Sequence, residues 1–247
     1  MRLYKYRDLS LPGVEPFARL SDILRNNTFW CAEPSTLNDP TEFVWECDYE
    51  PSGETCRLLA EALSHSTGRT PEVALARASA AIVNRRLETI ARPLFEEIVD
   101  QSRREVGLAC FATSSDNDVM WERYGGQGNG VCVELEAPDE LLHAHLHPVE
   151  YPIAKQLHID QLLLASCEDL SSQQTVYTVA LLSKPVFWAP ESEIRFVSRL
   201  QNVSVSLSGS RISRLVLGSN LTTEMASSIE ALVNSLPYAL PIASRGA

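Results

Sequence analysis

Apolar residues recur in two rhythms along this chain, and the rhythm changes with position. Met1 to Arg7 alternates through Leu3, Tyr4 and Tyr6, which predicts a short first strand. Phe17, Leu20, Ile23 and Leu24 then fall at helical spacing between Pro16 and Asn27, where Asn26-Asn27 offers a stop. Thr28 to Ala32 is an aromatic strand. Pro34 to Pro40 is turn chemistry, because Asp39 before Pro40 is pushed out of helical geometry. Glu42 to Tyr49 reads as another strand. Residues 54–105 are mostly helical, with Val73, Leu75, Ala76, Ile82, Val83, Leu87, Ile90, Leu94, Phe95, Ile98 and Val99 in one broad apolar stripe. Gly68 and Thr70-Pro71 separate this helix from a shorter one before it, and Pro93 is a candidate kink. That stripe predicts a packing hairpin rather than a cofactor face.

Val106 to Thr113 is a nearly continuous apolar run, as expected of a buried strand. Asp116 to Tyr124 is a short helix with Asp116 as its cap, and Gly125 to Gly130 a flexible loop before a strand over Val131 to Leu135. Val149 to Ile153 is read as a strand, followed by helix through Leu182. Strands over Glu193–Leu200, Val203–Leu207 and Ile212–Leu217 precede a closing helix over Thr222–Leu236. Strands at both ends with helices between them predict one α+β domain over residues 1–247. It would hold a mixed, mainly antiparallel sheet and a helical insertion at about 54–105.

Composition narrows the functional classes. A net charge of −11 argues against a large duplex-binding surface, since phosphate contacts need clustered Lys and Arg. It leaves room for a local basic pocket. The six cysteines form no CxxC pair and no zinc spacing. Cys31, Cys110 and Cys132 fall inside apolar runs, where a thiol packs as a small core residue. The polar amino terminus and the lack of any apolar run near the ~20 residues of a membrane span point to a cytoplasmic protein.

The most informative segment runs from Lys184 through Trp188 to Glu191-Ser-Glu193-Ile-Arg195. Side chains alternate along a strand, so Glu191, Glu193 and Arg195 would share a face at a strand entrance. Such a trio is either a charge-compensated structural ladder or a carboxylate site kept ionised by its guanidinium neighbour. Asn38-Asp39-Pro40-x-Glu42 can satisfy its own turn or face a pocket and hold a ribose. Trp121 and Tyr124, three apart on a helix, and Tyr4 and Tyr6 on the first strand suit core packing or stacking against an adenine or nicotinamide ring. The Gly125–Gly130 loop follows a helix and precedes a strand, the reverse of a phosphate cradle, so it reads as a tight connection. His143, His145 and His147 lie two apart, which suits zinc or, better, a solvated segment. No Gly-x-Ser-x-Gly elbow supports a hydrolase triad.

Eight segments in order carry a resemblance: Leu3-Tyr4-Lys5-Tyr6-Arg7; Phe29-Trp30-Cys31; Leu37-Asn38-Asp39-Pro40-Thr41-Glu42; Cys110-Phe111; Met120-Trp121-x-x-Tyr124-Gly125; Gly130-Val131-Cys132-Val133-Glu134; Val149-x-Tyr151; and Lys184 through Arg195. The chain resembles the domain-of-unknown-function 2971 family from residue 1 to about Gly218. The Tyr-containing first strand, the following helix, the aromatic strand and the late Glu-x-Glu also resemble the ADP-ribosyltransferase fold. That second resemblance implies NAD as cofactor and Glu193 as the catalytic carboxylate, with Glu191 as general base toward a protein or nucleic-acid acceptor. It implies that Tyr4, Tyr6, Arg7, Trp30, Asn38, Asp39, Trp121, Tyr124 and Arg195 lie around NAD. In that chemistry a fixed carboxylate stabilises the oxocarbenium-like centre left by nicotinamide. Two other functions are open: a non-catalytic binding or regulatory module with a structural Glu-x-Glu-x-Arg network, and a metal-dependent nuclease built on Asp39, Glu42, Glu191 and Glu193.

Overall fold

The computed structural model describes residues 1–10, 15–167 and 169–246, and all their side chains except those of 15, 97, 98, 101, 102 and 142–144. Ile98 of the predicted stripe and His143 are therefore outside the described side chains. The fold is α+β with a mostly antiparallel sheet. Contacts divide it into two compact units. The first comprises Met1–Ala32, Gly107–Val149 and Phe187–Ala247, and the second Glu33–Val106 and Glu150–Val186.

The first unit is built on seven strands: β1 (Arg2–Asp8), β4 (Gly107–Ala112), β5 (Gly130–Glu136), β6 (Leu146–Pro148), β8 (Glu193–Ser198), β10 (Arg211–Leu217) and β11 (Ile242–Ser244). Their order is β11-β10-β5-β1-β4-β8-β6, so the first strand of the sequence lies at the centre. Every pairing is antiparallel except β10 with β11. Directly paired residues share a face, and successive residues alternate. One face carries Leu3, Ala109, Phe111, Val131, Val133 and Ile194, and packs with α1 (Glu15–Asn26) and α9 (Thr223–Asn234) into the main core. The other carries Tyr4, Tyr6, Ala112 and Cys132, covered by Met120 and Trp121 of α5 (Asp118–Arg123). A second small sheet pairs β2 (Thr28–Cys31) with β9 (Val203–Ser206), sending Phe29 and Cys31 into the main core.

The second unit contains α2 (Thr55–Thr67), α3 (Pro71–Val83), α4 (Leu87–Glu105), α7 (Ile159–Ser166) and α8 (Leu170–Leu181), with a parallel pair of β3 (Glu46–Asp48) and β7 (Gln156–His158). The expected long helix after Pro71 is two helices, because Arg85 takes a left-handed backbone at φ 53° and ends the run. The predicted stripe is corrected in α3 as well: Val73, Leu75 and Val83 face solvent, and Ala74, Ala78 and Ala81 are the buried residues. Small side chains let α3 approach α2 closely, a pattern that a search for large apolar residues passes over. Pro93 sits within α4, which continues through it.

Two further boundaries differ from expectation. The strand placed at Val149–Ile153 lies at Leu146–Pro148, entered from α6 (Asp139–His145), and residues 149–153 form no strand. The cap of α5 is Asn117 rather than Asp116: its side-chain oxygen accepts from the Met120 amide at 3.2 Å.

Where β5 begins beside β1, Gly130 admits no side chain, since a Cβ there would lie 2.0 Å from the Arg7 carbonyl oxygen. Gly130→Ala should therefore destabilise the chain by about 1–3 kcal/mol in urea unfolding. Gly53→Ala, with nothing within 4 Å of its Cβ, should stay within about 0.5 kcal/mol of the parent. Equal midpoints for the two variants would contradict the packing described at this strand junction.

Candidate functional site

The carboxylate segment lies in the first unit. A 3₁₀ helix over Val186–Glu191 leads to Ser192, whose left-handed φ of 46° turns the chain into β8. Because of that turn, Glu191 is not part of the strand, and strand alternation does not fix its face as the sequence spacing suggested. Glu193 and Arg195 do share a face: Glu193 pairs with Ala112 and Arg195 with Cys110 of β4. The Arg195 Nε donates to Glu193 Oε1 at 2.7 Å. This ion pair is deep in the protein, with Arg195 at 0% exposure and Glu193 at 5%.

Glu191, at 1% exposure, accepts from two groups that α5 delivers. Tyr124 Oη donates to its Oε1 at 2.9 Å, and Arg123 Nη1 donates to the same oxygen at 2.9 Å. The Arg123 guanidinium also stacks over the Trp188 ring, 4.6 Å from its centre. Asn117 ties the same two segments together by donating to the Pro190 carbonyl at 2.7 Å. Arg123 was missed in the sequence; its signal was an arginine beside a Tyr and nearly two helical turns from Asn117, too ordinary to single out.

Aromatic residues line this face but are already engaged. Tyr6 Oη donates to the Ser114 carbonyl and Trp121 Nε1 to the Ser115 carbonyl, both at 2.8 Å. Their rings meet edge-to-face, with centroids 5.2 Å apart at 86°. Trp121, 1% exposed, also carries the Arg245 guanidinium 5.3 Å from its ring centre. Arg245 in turn pairs with Asp118. Burial pushes the Tyr6 phenol well above its ordinary range. A stacking platform needs an open ring face, so Tyr6 and Trp121 do not fit a nicotinamide or adenine in this arrangement.

The structure thus sorts the residues named from sequence into three groups. Tyr4, Tyr6, Trp121, Tyr124, Glu191, Glu193 and Arg195 gather around one face of the seven-stranded sheet. Arg7 and Trp30 line a separate pocket against α1. As an odd-numbered residue of β1, Arg7 belongs to the opposite face from Tyr4 and Tyr6. Asn38 and Asp39 belong to the second unit. There Asn38 is exposed, and Asp39 Oδ1 accepts from the Thr41 amide at 2.8 Å and its hydroxyl at 2.6 Å. That oxygen serves the turn itself.

Two further charged groups, one buried and one half-buried, were not singled out. Glu134 on β5 takes two hydrogen bonds from Arg214 of β10, at 3.0 and 2.6 Å. Lys5 on β1 donates to the Cys110 carbonyl at 2.7 Å and sits 5.5 Å from the centre of the Phe111 ring. Burial, with Arg7 beside it, pushes the Lys5 ammonium down to about 8. Among the described residues no group of three or more His, Cys, Asp or Glu is placed to hold a metal ion. His147 pairs across from Arg195 on β6, and burial together with His145 lowers its pKa. No helix among the described residues is long and apolar enough to cross a membrane.

No family model, curated protein or solved structure matches the chain.

Two predictions follow from these geometries. Tyr124→Phe keeps the ring and removes one of the donors to Glu191, so it should cost about 1–3 kcal/mol in urea unfolding. An unchanged midpoint would mean that Tyr124 does not hold that carboxylate. For Lys5, both folded and unfolded chains carry the proton below about pH 8, and the cost of burying the charge is fully present. Between about pH 8 and the ordinary lysine value of 10.5, only the unfolded chain holds the proton, so stability rises with pH. Measured as wild type minus Lys5→Met, this rise should be about 3 kcal/mol. A flat difference across that window would contradict the half-buried, charged Lys5.

Proposed function

We propose that this chain is a non-catalytic binding or regulatory module in which Glu191, Glu193 and Arg195 form a structural charge network. One observation supports this most: both carboxylates are almost fully buried and already held by specific cations, Arg123 on Glu191 and Arg195 on Glu193. A reactive carboxylate must reach a substrate, whereas a buried paired one fixes the chain around it. The same face gives its aromatic rings to each other and to Arg245, which suits packing rather than cofactor capture. A cytoplasmic setting and the family resemblance belong to the same proposal.

A second reading has its own support. Seven of the residues implied by the ADP-ribosyltransferase resemblance come together at one sheet face, with β8 separated from β1 by the single strand β4. On that reading the protein is an NAD-using transferase acting on a protein or nucleic acid, and the face opens to admit its substrate. No observation favours the metal-dependent nuclease.

Wild-type protein incubated with NAD and cell lysate separates the two. The module reading expects no nicotinamide release and no transfer of label. Nicotinamide release abolished in a folded Glu193→Gln variant would overturn it in favour of the transferase. Loss of stability in that variant decides nothing, since removing the Glu193 charge leaves Arg195 buried without its carboxylate under either reading.

A further inference from the structure

Arg7, Arg19, Asp22, Ile23, Thr28, Trp30 and Ser204 enclose a pocket of about 250 Å³ in the first unit, between β1, α1 and the β2–β9 pair. With 32 acidic residues against 21 Lys and Arg, a guanidinium has an excess of possible partners. Yet among the described residues neither Arg7 nor Arg19 lies in an ion pair with a carboxylate, and the buried Arg7 Nε has no hydrogen-bond acceptor. Burial and the nearby Arg19 together lower the Arg7 pKa to about 10. A desolvated cation facing a second cation is costly unless an anion joins them.

We propose that this pocket binds a phosphomonoester carrying a planar ring, of the nucleoside monophosphate class. The planar fork of a guanidinium matches a phosphate through paired N–H donors, and Arg7 and Arg19 supply two forks. Trp30, 37% exposed, presents an aromatic surface at the pocket, with the Arg19 guanidinium 5.8 Å from its ring centre. A flat heterocycle stacks on such a surface. Asp22 carries the one acidic side chain of the lining; it repels phosphate but accepts hydrogen bonds from sugar hydroxyls, as Thr28 and Ser204 also can. The volume suits a mononucleotide better than a dinucleotide, since it falls below the ~300–1,000 Å³ of pockets for larger ligands. The lining lies on the sheet face away from Glu193, so it is separate from the paired carboxylates, although Arg7 and Trp30 are also two of the residues the resemblance places around NAD.

This inference rests on the reading of the chain as a binding module and names its ligand class. The test is calorimetric titration of the full chain with AMP, inorganic phosphate and adenosine, beside thermal unfolding. AMP should bind at least about tenfold more tightly than phosphate or adenosine, and should raise the melting temperature. Arg7→Met should melt higher than wild type without ligand, because it removes a desolvated cation, and should lose AMP binding at least about tenfold. Arg19→Met, at an exposed helix position, keeps the test available if Arg7→Met misfolds, and should weaken AMP and phosphate alike. Trp30→Ala should weaken AMP while sparing phosphate. Absence of AMP binding to wild type, equal affinity for AMP and phosphate, or AMP binding unaffected by Arg19→Met would overturn the proposal. Nicotinamide release from NAD would instead overturn the module reading, and leaves the AMP titration to be judged by itself.

Discussion

A fully buried guanidinium inside a sheet dictates much of what surrounds it. Arg195 sits on β8 with no exposed surface, where a lone charge would cost several kcal/mol of solvation. Glu193, two residues back on the same face, meets it at 2.7 Å. The pair ties together two neighbouring positions of one strand, and β4 and β6 flank that strand on either side. The adjoining turn at Ser192 then places Glu191 against Tyr124 and Arg123, so the network reaches from the sheet to α5. A slip of β8 by one residue would turn Glu193 and Arg195 into the apolar core and Ile194 out of it. The charges therefore specify register as well as occupying space.

The alternation rule made part of this legible in advance. Glu193 and Arg195 fall on one face, as spacing requires, and the α+β class with its mainly antiparallel sheet follows from strands at both ends of the chain. Backbone conformations that break a period were not legible. Ser192 and Arg85 adopt left-handed angles, although neither residue type announces one, and each redirects a segment that the pattern treated as continuous. The same limit applies to α3, where alanines rather than the larger Val73, Leu75 and Val83 make the buried face. Alternation along β1 does separate Arg7 from Tyr6, against the grouping the resemblance implied: one step sends the former to the α1 pocket and the latter against Trp121.

That one-residue step matters for function. Residues that a resemblance groups around one cofactor are divided by the sheet, with carboxylates and closed-packed aromatics on one side and unpaired guanidiniums with an accessible tryptophan on the other. The first arrangement satisfies its own charges, whereas among the described residues the second presents donors without protein acceptors. Binding energy is available where polar groups are unsatisfied, which favours the α1 pocket as the place where this protein meets a ligand.

The central claim is that Glu193 and Arg195 act as one structural unit, and a double-mutant cycle on urea unfolding tests it most directly. Glu193→Gln, Arg195→Met and the double variant are compared with wild type. Each single change should cost about 3–5 kcal/mol or leave the other charge to unfold the chain, and the double variant should cost well below their sum. Costs that simply add would contradict the account, because they would mean that the two side chains contribute independently.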